Sequence, residues 1–91
     1  MNRNDQDTIE LPKYQSDKSV IHALKIKRIT VLFSDSSAEM IPEDENYAPL
    51  NVDVDFVNKH NPKAGGYYVV YEDGFKGWLS AASLRAFYTR I

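Results

Sequence analysis

The chain has no cysteine, which excludes a disulfide framework and any thiolate metal site and suits a reducing cytoplasm. The raw material of catalysis is scarce as well. His22 and His60 are its two histidines, and no G-x-S-x-G, H-E-x-x-H or phosphate-cradling glycine pattern accompanies them. With no nucleophile and base to pair, the expectation is a protein that is not an enzyme and needs no cofactor. No stretch approaches the roughly 18 consecutive apolar residues of a membrane span, and the polar start MNRNDQDTIELPKYQSDKS has no signal-peptide core. A soluble, unsecreted protein without a membrane partner is therefore expected. Basic charge is not in excess either: 11 Lys and Arg against 13 Asp and Glu leave a net charge of −2. Nucleic-acid binding, which draws on an excess of cations facing phosphates, is accordingly not expected.

What is present is a globular composition of modest size. Ninety-one residues with 43% apolar and 26% charged side chains can build one hydrophobic core and no second. Residues 1–12 are polar and aperiodic up to Pro12 and are expected to form a mobile arm. Residues 13–91 are expected to form a single small domain.

From Val20 the pattern becomes strand-like. His22, Leu24 and Ile26 alternate with Ile21, Ala23 and Lys25, and Ile29, Val31 and Phe33 then alternate with opposite parity. One extra residue in a strand reverses the face of every later side chain, so a β-bulge or a break is expected at Lys27 and Arg28. A helix over residues 19–28 is the competing reading, although Ile21, Leu24 and Arg28 sustain no apolar stripe. The stretch SDSS is turn chemistry, and residues 38–41 can return as a short strand. Pro42 and Pro49 bracket an acidic loop in which Tyr47 is the large apolar anchor, and residues 51–54 are again strand-like. In DVDFVNKHNP, Asp53 is placed to cap a short helix, Asp55 lies in its first turn, and Lys59 and His60 lie in its last. Phe56 is its expected inward anchor, and Asn61 and Pro62 end it.

The stretch GGYYVVYEDGFKGW is the most explicit in the chain. Residues 67–71 and 75–79 are β-favouring runs, and Glu72, Asp73 and Gly74 between them suit a three-residue hairpin turn whose glycine takes a positive φ. Ser80 is then a suitable cap for a short helix with Leu84 and Phe87 pointing inward, and FYTRI can close the chain as an edge strand. The sum is an α+β domain, a mostly antiparallel sheet of about four to six short strands with one or two short helices; an SH3-like barrel is the alternative.

Three groups of side chains are candidates for function. Tyr68, Tyr71, Phe75 and Trp78 belong to the aromatic hairpin. Single-strand nucleic-acid platforms use such aromatics but interleave them with cations, whereas Lys63, Glu72, Asp73 and Lys76 sum to zero here. One hairpin face is expected to build the core, leaving the other for the surface, a covering helix or a partner. Glu43, Asp44 and Glu45 form the second group, at the centre of a segment, residues 30–60, with seven acidic side chains and one basic. They can steer a basic partner or simply remain solvated. With Asp53 and Asp55 they match no calcium loop, since the glycine and terminal glutamate of that motif are missing, so no metal site is expected. The histidines are the third group: His22 reads as a partly buried, hydrogen-bonded imidazole on a strand, and His60 as a helix-terminal residue.

Taken together, KYQSDKSV, VNKHNPKAGGYYVVYEDGFKGW and the terminal YTRI resemble a family of small uncharacterised proteins encoded by tailed bacteriophages and prophages. Its members open with a K-Y-Q-S-H-K-like strand and close with a G-G-Y-Y-V-V-Y-E-D-G-Y hairpin, a short helix and G-Y-T-R-I. The resemblance runs from Lys13 to Ile91, strongest at the two ends and weak over residues 34–47. The chain departs from the pattern at Asp17, where the family has histidine, and at Ser80, Ala81, Ala82, Ser83 and Leu84, where it has S-P-A-E-A-F. The resemblance implies a phage or prophage setting in a bacterial host's cytoplasm and a host or phage protein as partner. Three functions are consistent with this reading. The leading one is an accessory protein acting by non-catalytic protein binding. The others are an acidic inhibitor of host defence or nucleic-acid machinery and a homo-oligomeric structural or virion-assembly component.

Overall fold

A computed structural model describes residues 10–32 and 34–91; residues 1–9 of the arm expected over residues 1–12, and Phe33, lie outside the described residues. The expected arm does not extend to Pro12. Glu10 accepts a hydrogen bond from the Tyr47 hydroxyl at 3.1 Å, Pro12 accepts one from the Ala23 N–H at 2.9 Å, and Leu11 packs on the core. The domain's own contacts therefore begin ahead of Lys13.

The chain runs β1 (Lys13–Gln15), β2 (Val20–Val31), β3 (Ala38–Pro42), β4 (Leu50–Val52), α1 (Val54–His60), β5 (Tyr67–Val70), β6 (Lys76–Leu79), α2 (Ala81–Phe87) and β7 (Thr89–Arg90). The described residues form an α+β domain of seven antiparallel strands and two short helices. The 12-residue β2 is its spine, pairing with β1, β3 and β5; β4, β6 and β7 end the sheet with one partner each. The SH3-like alternative is thus replaced by an open sheet, and the helix considered over residues 19–28 is strand throughout.

The bulge falls where the parity change requires it. Ile26 faces Pro42 and Arg28 faces Ile41, so Lys27 is the extra residue. Beyond it Ile29 returns to the face of Leu24 and Ile26 and packs with them, as a one-residue insertion demands. The β5–β6 turn also forms as its residues dictate. Gly74 has φ 89°, its N–H donates to the Tyr71 carbonyl at 2.9 Å, and Asp73 Oδ1 accepts the Phe75 N–H at 3.0 Å.

Both helices are capped by the anticipated side chains. Asp53 accepts from the Phe56 N–H and Ser80 from the Ser83 N–H, at 2.9 and 3.1 Å, and Asn61 ends α1 in the left-handed conformation. Each cap satisfies one of the amides that a helix start leaves without a partner.

The central sheet is buried on both faces. Ile21 and Ala23 of β2, Tyr67 and Val69 of β5 and Leu84 of α2 form one cluster. Leu24, Ile26, Met40 and Tyr68 form another on the opposite face, with Phe56 of α1 and Leu50 and Val52 of β4 packed against it. The hairpin therefore has no open face. One side lies under α2, and the other under α1 and the β3–β4 ribbon.

Candidate interaction surface

The four hairpin aromatics separate in three dimensions. Tyr68 is 7% exposed with its ring centroid 6.0 Å from that of Phe56, so it is a core residue and has no face to offer a partner. Burial pushes its phenol pKa upward. Trp78 shares that face, half-buried and lying across Gly66. Tyr71 is on the other face, half-buried against the Leu84 cluster. Phe75 alone is open, 72% exposed at the end of the turn.

Phe87, expected to point inward, is 71% exposed. The reason is helical spacing. Leu84 is fully buried, and the position one turn on that falls below it is i+4, Tyr88, whose N–H donates to the Leu84 carbonyl at 2.8 Å. Tyr88 leaves the helix in extended conformation and packs on the cluster, which turns Phe87 outward.

Phe75 and Phe87 belong to the same pole of the molecule. The first borders a shallow groove shared with Tyr71 and Ser19, Val20 and Ile21. The second borders an open groove of about 590 Å³ shared with Tyr88, Leu79 and Ser16, Asp17 and Lys18. The β1–β2 turn separates the two grooves, and burial, with the neighbouring Tyr88 phenol, holds the Tyr71 pKa up. Asp17 and Lys18 border the Phe87 groove and Glu72 and Asp73 the Phe75 groove, three acidic side chains and one basic, whereas Lys76 lies on the opposite face of the hairpin beside Phe56 and Tyr68. An aromatic centre inside a mixed polar rim is the anatomy of a protein interface. The outward direction of Phe87 is not legible in the sequence because i+3 and i+4 spacings are both helical, and the exit of the chain at Tyr88 decides between them.

Glu43, Asp44 and Glu45 are all exposed, in the loop after β3. Glu43 Oε1 lies 3.8 Å from Lys25 Nζ, both side chains substantially solvated, a geometry worth little. Asp44 Oδ1 accepts the Asn46 N–H at 2.9 Å and so shapes its own turn. Glu43 and Asp44 also share a crevice with Lys25 and Arg90, so the loop does not present an uninterrupted negative surface. Among the described residues no group of three or more His, Asp or Glu side chains is placed to hold a metal ion, and no helix is long and apolar enough to cross a membrane.

His22 is half-buried on β2, as its place in the alternation suggests, but its Nε2 is sealed from solvent without a hydrogen-bond partner among the described residues, which departs from the expectation of a hydrogen-bonded imidazole. His60 packs against Phe56 in a tilted arrangement, the ring centroids 4.5 Å apart and the planes at 45°.

No family model matches the chain, and no curated protein does. Among solved structures it is similar to the solution NMR structure of the monomeric form of the phage L decoration protein. The TM-score is 0.69 and the identity 28%, over 97% of this chain and 63% of that one. The chain thus spans less than two thirds of the decoration protein's length. The likeness is to a phage protein, in keeping with the resemblance read from the two ends of the sequence, and it extends across the weakly matching middle as well.

Proposed function

We propose that the chain is a structural component of a phage virion that docks on the assembled shell, as a decoration protein does. The observation that carries this reading is the likeness to the phage L decoration protein over 97% of the chain. It favours the virion-component reading over a host-directed acidic inhibitor. The work of such a protein is non-catalytic binding, and its partner is a phage shell protein.

The docking surface in this reading is the pole bearing Phe75, Phe87 and Tyr71. Phe75 and Phe87 are the most exposed large apolar side chains among the described residues, and large aromatics set in a polar rim are the residues that carry binding energy at protein interfaces. Cosedimentation with purified heads of the encoding phage tests the proposal. The chain should pellet with heads to a saturable, fixed ratio. A chain that remains in the supernatant at every head concentration contradicts it.

A further inference from the structure

A second recess, on the opposite side of the hairpin from the turn, is chemically unlike the aromatic pole. It is an open groove of about 520 Å³ between the end of α1, the glycine loop before β5 and the start of α2, lined by His60, Asn61, Lys63, Gly66, Trp78 and Ser80 among others. Every one of its polar side chains can donate a hydrogen bond: the Lys63 ammonium, the His60 imidazole, the Asn61 amide, the Trp78 indole and the Ser80 hydroxyl. Among the described residues no carboxylate lines it. In a chain of net charge −2, a cleft with a cation and no acid is a local reversal of the molecule's charge.

The groove is also held in shape. Phe56 holds the His60 ring by a tilted contact, centroids 4.5 Å apart. Asn61 and Gly65 set the rim in left-handed backbone conformations, φ 46° and 96°, and Gly65 and Gly66 are hydrogen-bonded to Ile26 of β2, at 2.8 and 3.0 Å. Trp78 lies directly on Gly66. Ser80 Oγ already accepts the Ser83 N–H, which leaves its O–H free to donate outward.

We infer that this groove binds an acidic peptide segment, seating a carboxylate between Lys63 and His60 with the adjoining aliphatic stem against the Trp78 indole. One ammonium with flanking neutral donors suits a single carboxylate through charge-assisted hydrogen bonds. A nucleic-acid backbone would require several cations in a row, and among the described residues Lys63 is the one Lys or Arg here. The inference does not rest on the shell-docking proposal, since its ligand, its residues and its test are separate.

Trp78 is the single tryptophan of the chain and lines this groove, so its emission, excited beyond the tyrosine band, responds to a ligand seated there. Titrating the full chain with a hexaglutamate peptide at low ionic strength should give a saturable change in Trp78 emission. Raising the salt to about 0.2 M should weaken it, as screening requires. Hexalysine should give no response. Lys63 is exposed, so K63E should keep the thermal unfolding midpoint while its affinity for hexaglutamate falls about tenfold or more, the loss expected for one charge-assisted contact. H60Q should weaken binding less. Absence of any response to hexaglutamate, an equal response in K63E, or an equal response to hexalysine overturns the inference. So does an equal response to inorganic phosphate, which would mark a general anion site.

Discussion

The indole of Trp78 lies so close to Gly66 that a Cβ on residue 66 would stand 2.5 Å from its ring. Gly66 takes an ordinary negative φ, so the requirement for glycine there is space and not backbone freedom. G66A must move either the indole or the strand start. It should destabilise the domain by about 1–3 kcal/mol, the usual cost of overpacking, which lowers the unfolding midpoint by roughly 4–8 °C per kcal/mol in a domain this small. Thermal unfolding followed by Trp78 fluorescence checks this; an unchanged midpoint would mean the packing is looser than the geometry shows.

The unpartnered Nε2 of His22 predicts a gain. A buried polar atom without a partner costs about 1–3 kcal/mol, and His22 stands on β2 opposite Val70 with Leu24 and Ile26 on the same face. H22L should therefore raise stability by about 1 kcal/mol in urea unfolding, within that range. A loss of stability would show that the imidazole has a partner or packs better than leucine.

The two helix caps predict small, separable losses. D53A and S80A each remove a side-chain acceptor from an N-terminal amide and should cost about 1 kcal/mol apiece, with D53N nearly neutral. The sites are on different helices, so the double variant should show the sum of the single effects.

Alkaline pH should weaken the fold. Burial raises the phenol pKa of Tyr14, Tyr68 and Tyr71. A group whose folded pKa is raised contributes stability that is complete below its unfolded value, about 10 for tyrosine, and is lost as pH rises through the folded value. Stability from this source should thus hold to about pH 10 and decline above it, with absorbance at 295 nm tracking ionisation of these phenols. Y68F should retain the fold and flatten part of the decline; a decline of the same steepness in Y68F would count against Tyr68 as a contributor.

How far the sequence revealed this molecule depended on whether the controlling interaction was local. The caps at Asp53 and Ser80, the turn at Gly74 and the bulge at Lys27 were legible because each is decided within a few residues by hydrogen bonding, backbone conformation or parity. The three-residue β1 was legible only through resemblance, being too short to show a period. Burial of both hairpin faces was visible in principle. VIHALKI and YYVV carry apolar side chains at consecutive positions, the mark of a strand covered on both sides, yet the aromatic residues there invited a reading with one open face. What decides that Tyr68 is core is α1 and the β3–β4 ribbon folding over it, a contact between segments distant in sequence. The outward turn of Phe87 was hidden for a similar reason, since the path of Tyr88 is set by β7 pairing with β1.

The proposal that the aromatic pole is the shell-docking face is tested most directly by measuring saturable binding of three proteins to purified phage heads. These are the unaltered chain, F75S/F87S, and the variant with Glu43, Asp44 and Glu45 changed to their amides. Phe75 and Phe87 contribute little to the core, so F75S/F87S should unfold at the same temperature as the unaltered chain yet bind heads at least about tenfold more weakly, as loss of two aromatic anchors implies. The amide variant should bind as the unaltered chain does. Full binding by F75S/F87S, with loss of binding confined to the amide variant, would contradict the account.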